Sequence, residues 1–137
     1  MVILFDRFNL PEDIYEIIFA TKQQVIVGKL LVEMIKEKGG EITKTEMSFF
    51  ATQLHEGKLI VDSIDDPLYA GKKVKLSYNK RQFYDRILTP MKSMGVIDYD
   101  LYKKTYRLSD KFNKDMIRIG LMWLQELRKP SHKLNRK

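Results

Sequence analysis

The chain has 137 residues, 44% hydrophobic and 31% charged, with no cysteine. That composition fits one globular domain with a real core and excludes disulfides, thiolate metal sites and a cysteine nucleophile. The net charge of +7 divides unevenly, because residues 1–70 carry 7 basic and 12 acidic side chains (net −5) and residues 71–137 carry 18 and 6 (net +12), a split that points to an anionic partner such as nucleic acid.

Residues 1–20 read as an arm followed by a short helix. Val2 to Phe8 is extended or irregular, and the start lacks a basic region before its apolar run, so no signal peptide is expected. Pro11 suits a first helical turn, Glu12 and Asp13 oppose the helix dipole favourably, and Ile14, Ile17 and Ile18 mark a helix over 13–19. Thr21-Lys22-Gln23-Gln24 has the form of a capping box. Behind it Val27, Leu30, Leu31, Met34 and Ile35 recur at helical spacing until Gly39-Gly40. The two helical stretches fit either separate helices or one kinked helix.

Glu41-Ile42 is a stub of strand. Thr43-Lys44-Thr45-Glu46 is a second capping box, opening a helix that carries Met47, Phe50, Ala51 and Leu54 on one face and ends near Gly57. Residues 58–76 are the least regular stretch. Leu59-Ile60-Val61 and Lys73-Val74-Lys75-Leu76 fit two short strands around the Asp65-Asp66-Pro67 and Ala70-Gly71 turn signals, or a loop.

Ser77 is the expected N-cap of a third helix over 78–94. Phe83, Tyr84, Ile87, Leu88, Met91 and Met94 share its apolar face, and Arg81, Gln82, Asp85, Arg86, Thr89, Lys92 and Ser93 the opposite one. Pro90 removes a backbone donor there and is expected to kink or break the helix, or to start a second turn capped by Thr89. Beyond Gly95, Val96-Ile97-Asp98-Tyr99 and Lys104-Thr105-Tyr106-Arg107-Leu108 read as two strands around a polar turn. Ser109 is expected to cap a last helix over 110–129, before Pro130 and a basic tail.

The segment Phe83-x3-Ile87-Leu88-x2-Met91-x2-Met94-Gly95-Val96-Ile97, followed by Tyr106-x-Leu108-Ser109, resembles the recognition helix and wing of winged helix-turn-helix proteins. The resemblance covers residues 21 to 109. It implies a mainly α fold with a small β-hairpin wing over 21–108, an insert or loop at 58–76, and an extra C-terminal dimerisation helix over 109–129. The tail is 130–137. In that family the second and third helices are joined by a short turn, so the 58–76 stretch is a departure. The resemblance also implies a double-stranded DNA-binding protein, a dimeric transcriptional regulator whose wing tip touches phosphates or the minor groove. A protein-interaction module of a nucleic-acid-processing complex, or a plasmid or viral replication or copy-control protein, would share this fold.

The residues make their own case. Arg, Lys, Gln and Asn read base edges, and Asn79, Lys80, Arg81, Gln82, Arg86, Thr89 and Lys92 fall on the outer face or start of the third helix. Asp85 suits a cytosine amine or the positioning of Arg81 or Arg86. Lys103, Lys104 and Arg107 mark the wing, where Tyr99 and Tyr106 are expected to pack and Tyr102 to be more open. Lys72, Lys73 and Lys75 precede the third helix as backbone-contact candidates.

On the last helix Phe112, Met116, Ile119, Gly120, Trp123 and Leu127 form one face, while Ile117, Leu121, Met122 and Leu124 carry apolar groups nearly round it. A helix apolar on several sides is expected to lie on its own core and also meet a second subunit. Phe112, Met116, Ile119, Gly120, Trp123, Leu124 and Leu127 are therefore the dimer candidates. There is room in this reading for an effector pocket between this helix and the N-terminal one, but no charged group marks it. The five basic residues from Arg128 to Lys137 form an arm for the DNA backbone or a solubilising end.

Catalytic constellations are not evident. His55 and His132 lie far apart, and His55 is expected to pack half-buried on its helix. Asp62, Asp65 and Asp66 read as a turn rather than a Mg²⁺ site. No enzyme, metal or cofactor is expected, and with no apolar run near the roughly 20 residues of a bilayer span, neither is a membrane segment. A cytoplasmic protein follows.

Overall fold

A computed structural model describes residues 6–61 and 74–132. Its elements are a 3₁₀ turn Arg7–Asn9, α1 Ile14–Ile18, α2 Lys22–Glu37, β1 Glu41–Thr43, α3 Lys44–Glu56, β2 Leu59–Val61, β3 Val74–Leu76, α4 Lys80–Phe83, a π turn Tyr84–Leu88, α5 Thr89–Ser93, β4 Ile97–Asp100, β5 Thr105–Leu108 and α6 Lys111–Arg128. The fold is mainly helical, with a three-stranded antiparallel sheet in the order β1-β5-β4 and a separate β2-β3 pair.

Local chemistry sets the early boundaries. Asp13, not Pro11, starts α1, its carboxylate accepting from Tyr15 N at 2.9 Å. Pro11 precedes the helix. Phe19 is extended, so α1 and α2 are separate helices rather than one kinked helix. Both capping boxes form, Thr21 with Gln24 and Thr43 with Glu46, each satisfying two backbone donors. Gly57 closes α3 in the left-handed conformation, at φ +68°, which glycine adopts without a Cβ penalty.

Apolar spacing becomes a core between α2, α3, the helical run 80–93 and one face of the sheet. Val27, Leu31, Ile35, Met47, Leu54, Phe83, Ile87, Leu88, Met91, Ile42 and Ile97 are its largest fully buried members. Phe83 packs against Phe50 with ring centroids 5.5 Å apart. α1 docks on α2 where Gly28 leaves room for the Phe19 ring, since a Cβ there would lie 2.5 Å from Phe19 Cε2.

In the sheet Ile42 pairs with Tyr106, and Tyr106 with Tyr99, so these three share a face turned to the core. Tyr99 and Tyr106 pack with ring centroids 4.6 Å apart. The other face is polar, with Arg107 opposite Glu41 on one side and Asp98 on the other. Residues 59–61 and 74–76 form an antiparallel hairpin stem, with Leu59 opposite Leu76. Lys72, Lys73, Asp62, Asp65, Asp66 and the tail from Lys133 onward lie outside the described residues.

The last helix corrects the expectation of burial. α6 has no buried residue. It leaves the domain at Gly95, whose carbonyl accepts from Phe112 N at 3.2 Å, and from there its apolar face is open. A groove among the described residues lies between α2 and α3, lined by Leu30, Met34, Phe49, Phe50 and Leu59.

Candidate nucleic-acid interface

The helical run 80–93 presents a sharp division of faces. Phe83, Ile87, Leu88 and Met91 are buried, while Arg81, Gln82, Asp85, Arg86, Thr89, Lys92 and Ser93 are exposed. Asp85 lies 3.9 Å from Arg81 Nε, one turn away, which biases the guanidinium without occupying its whole fork. Arg86 has no acid beside it among the described residues.

The start of the run differs from the expectation. Asn79, not Ser77, is the N-cap, its side chain accepting from Gln82 N at 3.1 Å. Tertiary bonds hold the preceding residues extended: Gln23 Nε2 donates to the Ser77 carbonyl at 3.1 Å, and Tyr78 N donates to the Leu54 carbonyl. Asn79 is thus spent on the cap. Lys80 is half-buried, its Nζ donating to Thr52 Oγ1 at 3.0 Å. His55 is exposed rather than packed, and its Nδ1 accepts from Lys80 N at 3.1 Å, so the neutral ring carries its proton on Nε2.

Pro90 does not break the run, but the helix before it departs from regular α geometry. Its ring would meet the carbonyl four residues back in a regular helix. Here the backbone widens instead: Thr89 N donates to the Tyr84 carbonyl, five residues back, and α5 continues through Pro90. Single π turns of this kind recur at functional sites.

The wing follows. Asp100 Oδ1 accepts from Tyr102 N at 2.9 Å and Lys103 N at 3.1 Å, tying the β4–β5 turn. The Lys103 amide holds the Asp100 carboxyl below its ordinary value. Lys104 sits at φ +53°, and its carbonyl accepts from Lys44 N, fixing the turn to the start of α3. Leu101 and Tyr102 are 77% and 98% exposed at the tip, beside the exposed Lys103 and Lys104. Leu101 escaped sequence reasoning because a single apolar residue in a turn carries no periodicity.

Two contacts join wing and helices. Lys92 Nζ lies 5.9 Å from the Tyr99 ring centroid, at the outer limit of a cation–π contact. Asp98 accepts from Lys111 at 3.0 Å and Arg107 at 3.1 Å, and these two cations lower its pKa, Lys111 more than Arg107. Arg107 is therefore held by a carboxylate on the strand, unlike Lys103 and Lys104 at the tip. Lys75 stands opposite Ile60 in the β2–β3 register.

Among the described residues no three His, Asp or Glu side chains gather as metal ligands, and no helix is long and apolar enough to cross a membrane. Comparison with protein-family models, curated proteins and solved structures returns no match for this chain.

Proposed function

We propose that this chain is a winged helix-turn-helix DNA-binding protein, acting in the cytoplasm as a homodimeric transcriptional regulator. The observation that carries the reading is the exposed outer face of residues 81–92, on a helical run whose inner face is locked in the core. A helix about 10–12 Å across fits the major groove, about 12 Å wide. Arg81 and Arg86 are the guanine readers, Gln82 the adenine reader, and Thr89 and Lys92 the flanking contacts. Lys103 and Lys104 at the wing tip take phosphates, which set register and affinity rather than sequence. The lysines before the helix, Lys72, Lys73 and Lys75, add backbone contacts. The reading assigns no catalytic step. α6 supplies the dimer contact through Phe112, Met116, Ile119, Trp123, Leu124 and Leu127, with Gly120 allowing close approach, and dimer geometry then sets half-site spacing.

Selection from a random duplex library, followed by mobility shifts, tests this. The expected product is a two-fold symmetric motif. Arg81→Ala or Arg86→Ala relaxes preference at one position at a cost of about 1–3 kcal/mol, and Lys104→Ala weakens all sequences alike. No duplex binding at low salt ends the reading.

A further inference from the structure

We propose that the wing tip inserts Leu101 and Tyr102 into the minor groove and opens a base step there, so that the duplex this chain takes is bent. The inference rests on the DNA reading above and names the feature of the duplex that the tip recognises. Residues 101–104 form the turn beyond Asp100 and Thr105, the last pair of the β4–β5 ladder. Leu101 and Tyr102 stand clear of the domain, next to the exposed Lys103 and Lys104. A single apolar residue on a surface needs no explanation. Two side by side in a hairpin turn, with lysines beside them, have the form of a wedge that carries its own phosphate grips.

The turn is held, so the pair is presented rather than left to fold back. Asp100 Oδ1 accepts from the Tyr102 and Lys103 amides, and the Lys104 carbonyl accepts from Lys44 N at 2.9 Å. Lys92, on the reading face, lies against the Tyr99 ring, and Tyr102 is three residues beyond Tyr99. At about 3.3 Å per residue that is a reach of up to about 10 Å, a span comparable with the width of one sugar–phosphate strand. With Lys92 at the edge of the major groove, the tip therefore crosses that strand to the minor groove, about 6 Å wide and negative enough to draw in lysines. An apolar pair gains nothing beside phosphates in water. It sheds its water by entering the groove, against the sugars and between base pairs. Pyrimidine–purine steps, TA and CA/TG, unstack most easily, so such a step is expected beside the bases read by Arg81, Gln82 and Arg86.

The test runs selection from a random duplex library on the wild type and, in parallel, on the Leu101→Ser, Tyr102→Ser double variant. The bonds of the turn are made by backbone groups and Asp100, so the variant keeps the wing, with an unchanged circular dichroism spectrum. The expected result is one shared set of major-groove bases, with a TA or CA/TG step enriched beside it in the wild-type pool alone. On the wild-type consensus, energy transfer between dyes at the two duplex ends is expected to rise when the wild type binds and to stay at its free-duplex value with the double variant. Tyr102→Phe, which keeps the ring, is expected to retain the bend. The same flanking step in both pools, an unbent wild-type complex, or a bend that the double variant retains overturns the wedge while the DNA reading stands. No duplex binding by the wild type at low salt overturns both. A double variant that differs from the wild type only in losing sedimentation with phosphatidylserine vesicles makes the tip a lipid contact and overturns the wedge.

Discussion

Asp98 shows how much of the wing's placement hangs on one side chain. Its carboxylate takes Lys111 from the first position of α6 and Arg107 from the neighbouring strand. Both cations favour the ionised form, so the folded pKa lies below the unfolded one. The sign follows: the contribution to stability is present above the ordinary aspartate value of about 3.9 and is lost as pH falls through the lowered folded value. Asp100 behaves the same way through the amides of the wing turn. Asp98→Asn removes the first contribution at every pH. In circular dichroism melts at neutral pH the variant is expected to unfold at a lower temperature than the wild type, with the gap closing in acid. A gap independent of pH would mean that packing, not charge, ties α6 to the wing. Glu46 and Glu56 carry lowered values too, which is why the difference between the two proteins is the informative quantity.

The helical run 80–93 carries the proposed reading face through a widened turn, and Pro90 explains the widening. Pro90→Ala restores a donor toward the Arg86 carbonyl and removes the ring clash. The regular α form then becomes accessible, and the bond from Thr89 N to the Tyr84 carbonyl loses its advantage. Arg86 and Thr89 turn relative to Lys92. Thermal stability is expected to hold or rise, while affinity for the selected duplex falls about tenfold, equal to about 1.4 kcal/mol. Melting curves and mobility shifts on one preparation check both halves. Elements of this kind mark the limit of sequence reading. The two capping boxes were legible because all their partners lie within four residues. The apolar faces of α2, α3 and the run were legible from spacing, and the exposed positions of Arg81, Gln82, Arg86, Thr89 and Lys92 followed. The π turn was not, because a missing proline donor predicts a disturbance and not its form. The cap at Asn79 and the bond from Lys80 N to His55 were hidden for another reason. Gln23 and Leu54, 54 and 24 residues before their partners Ser77 and Tyr78, decide where the helix starts. The apolar character of α6 was visible, but whether it meets its own core is a tertiary fact that periodicity does not contain.

At the scale of the whole molecule the charge split becomes an orientation. The acidic side chains cluster in residues 1–70, which supply α1, α2 and α3, and the basic excess of +12 lies in the later residues, which supply the helical run, the wing and α6. In the proposed DNA complex the later, basic residues are the ones that face the polyanion. Binding through that side should release condensed counterions, giving a slope of about −0.9 in log K against log salt for each phosphate neutralised. Lys103→Ala with Lys104→Ala is expected to flatten that slope by about 2. The wing tip is exposed and its turn is held by Asp100, so the pair is removed without unfolding the sheet. Glu33→Gln with Glu37→Gln, on α2 and outside the proposed DNA contacts, is expected to leave the slope unchanged. Titrations of one duplex at four salt concentrations measure both variants. Equal slopes for wild type and the wing variant would take the wing off the DNA, and a slope altered by the α2 variant would mean that α2 lies close enough to the duplex to be felt.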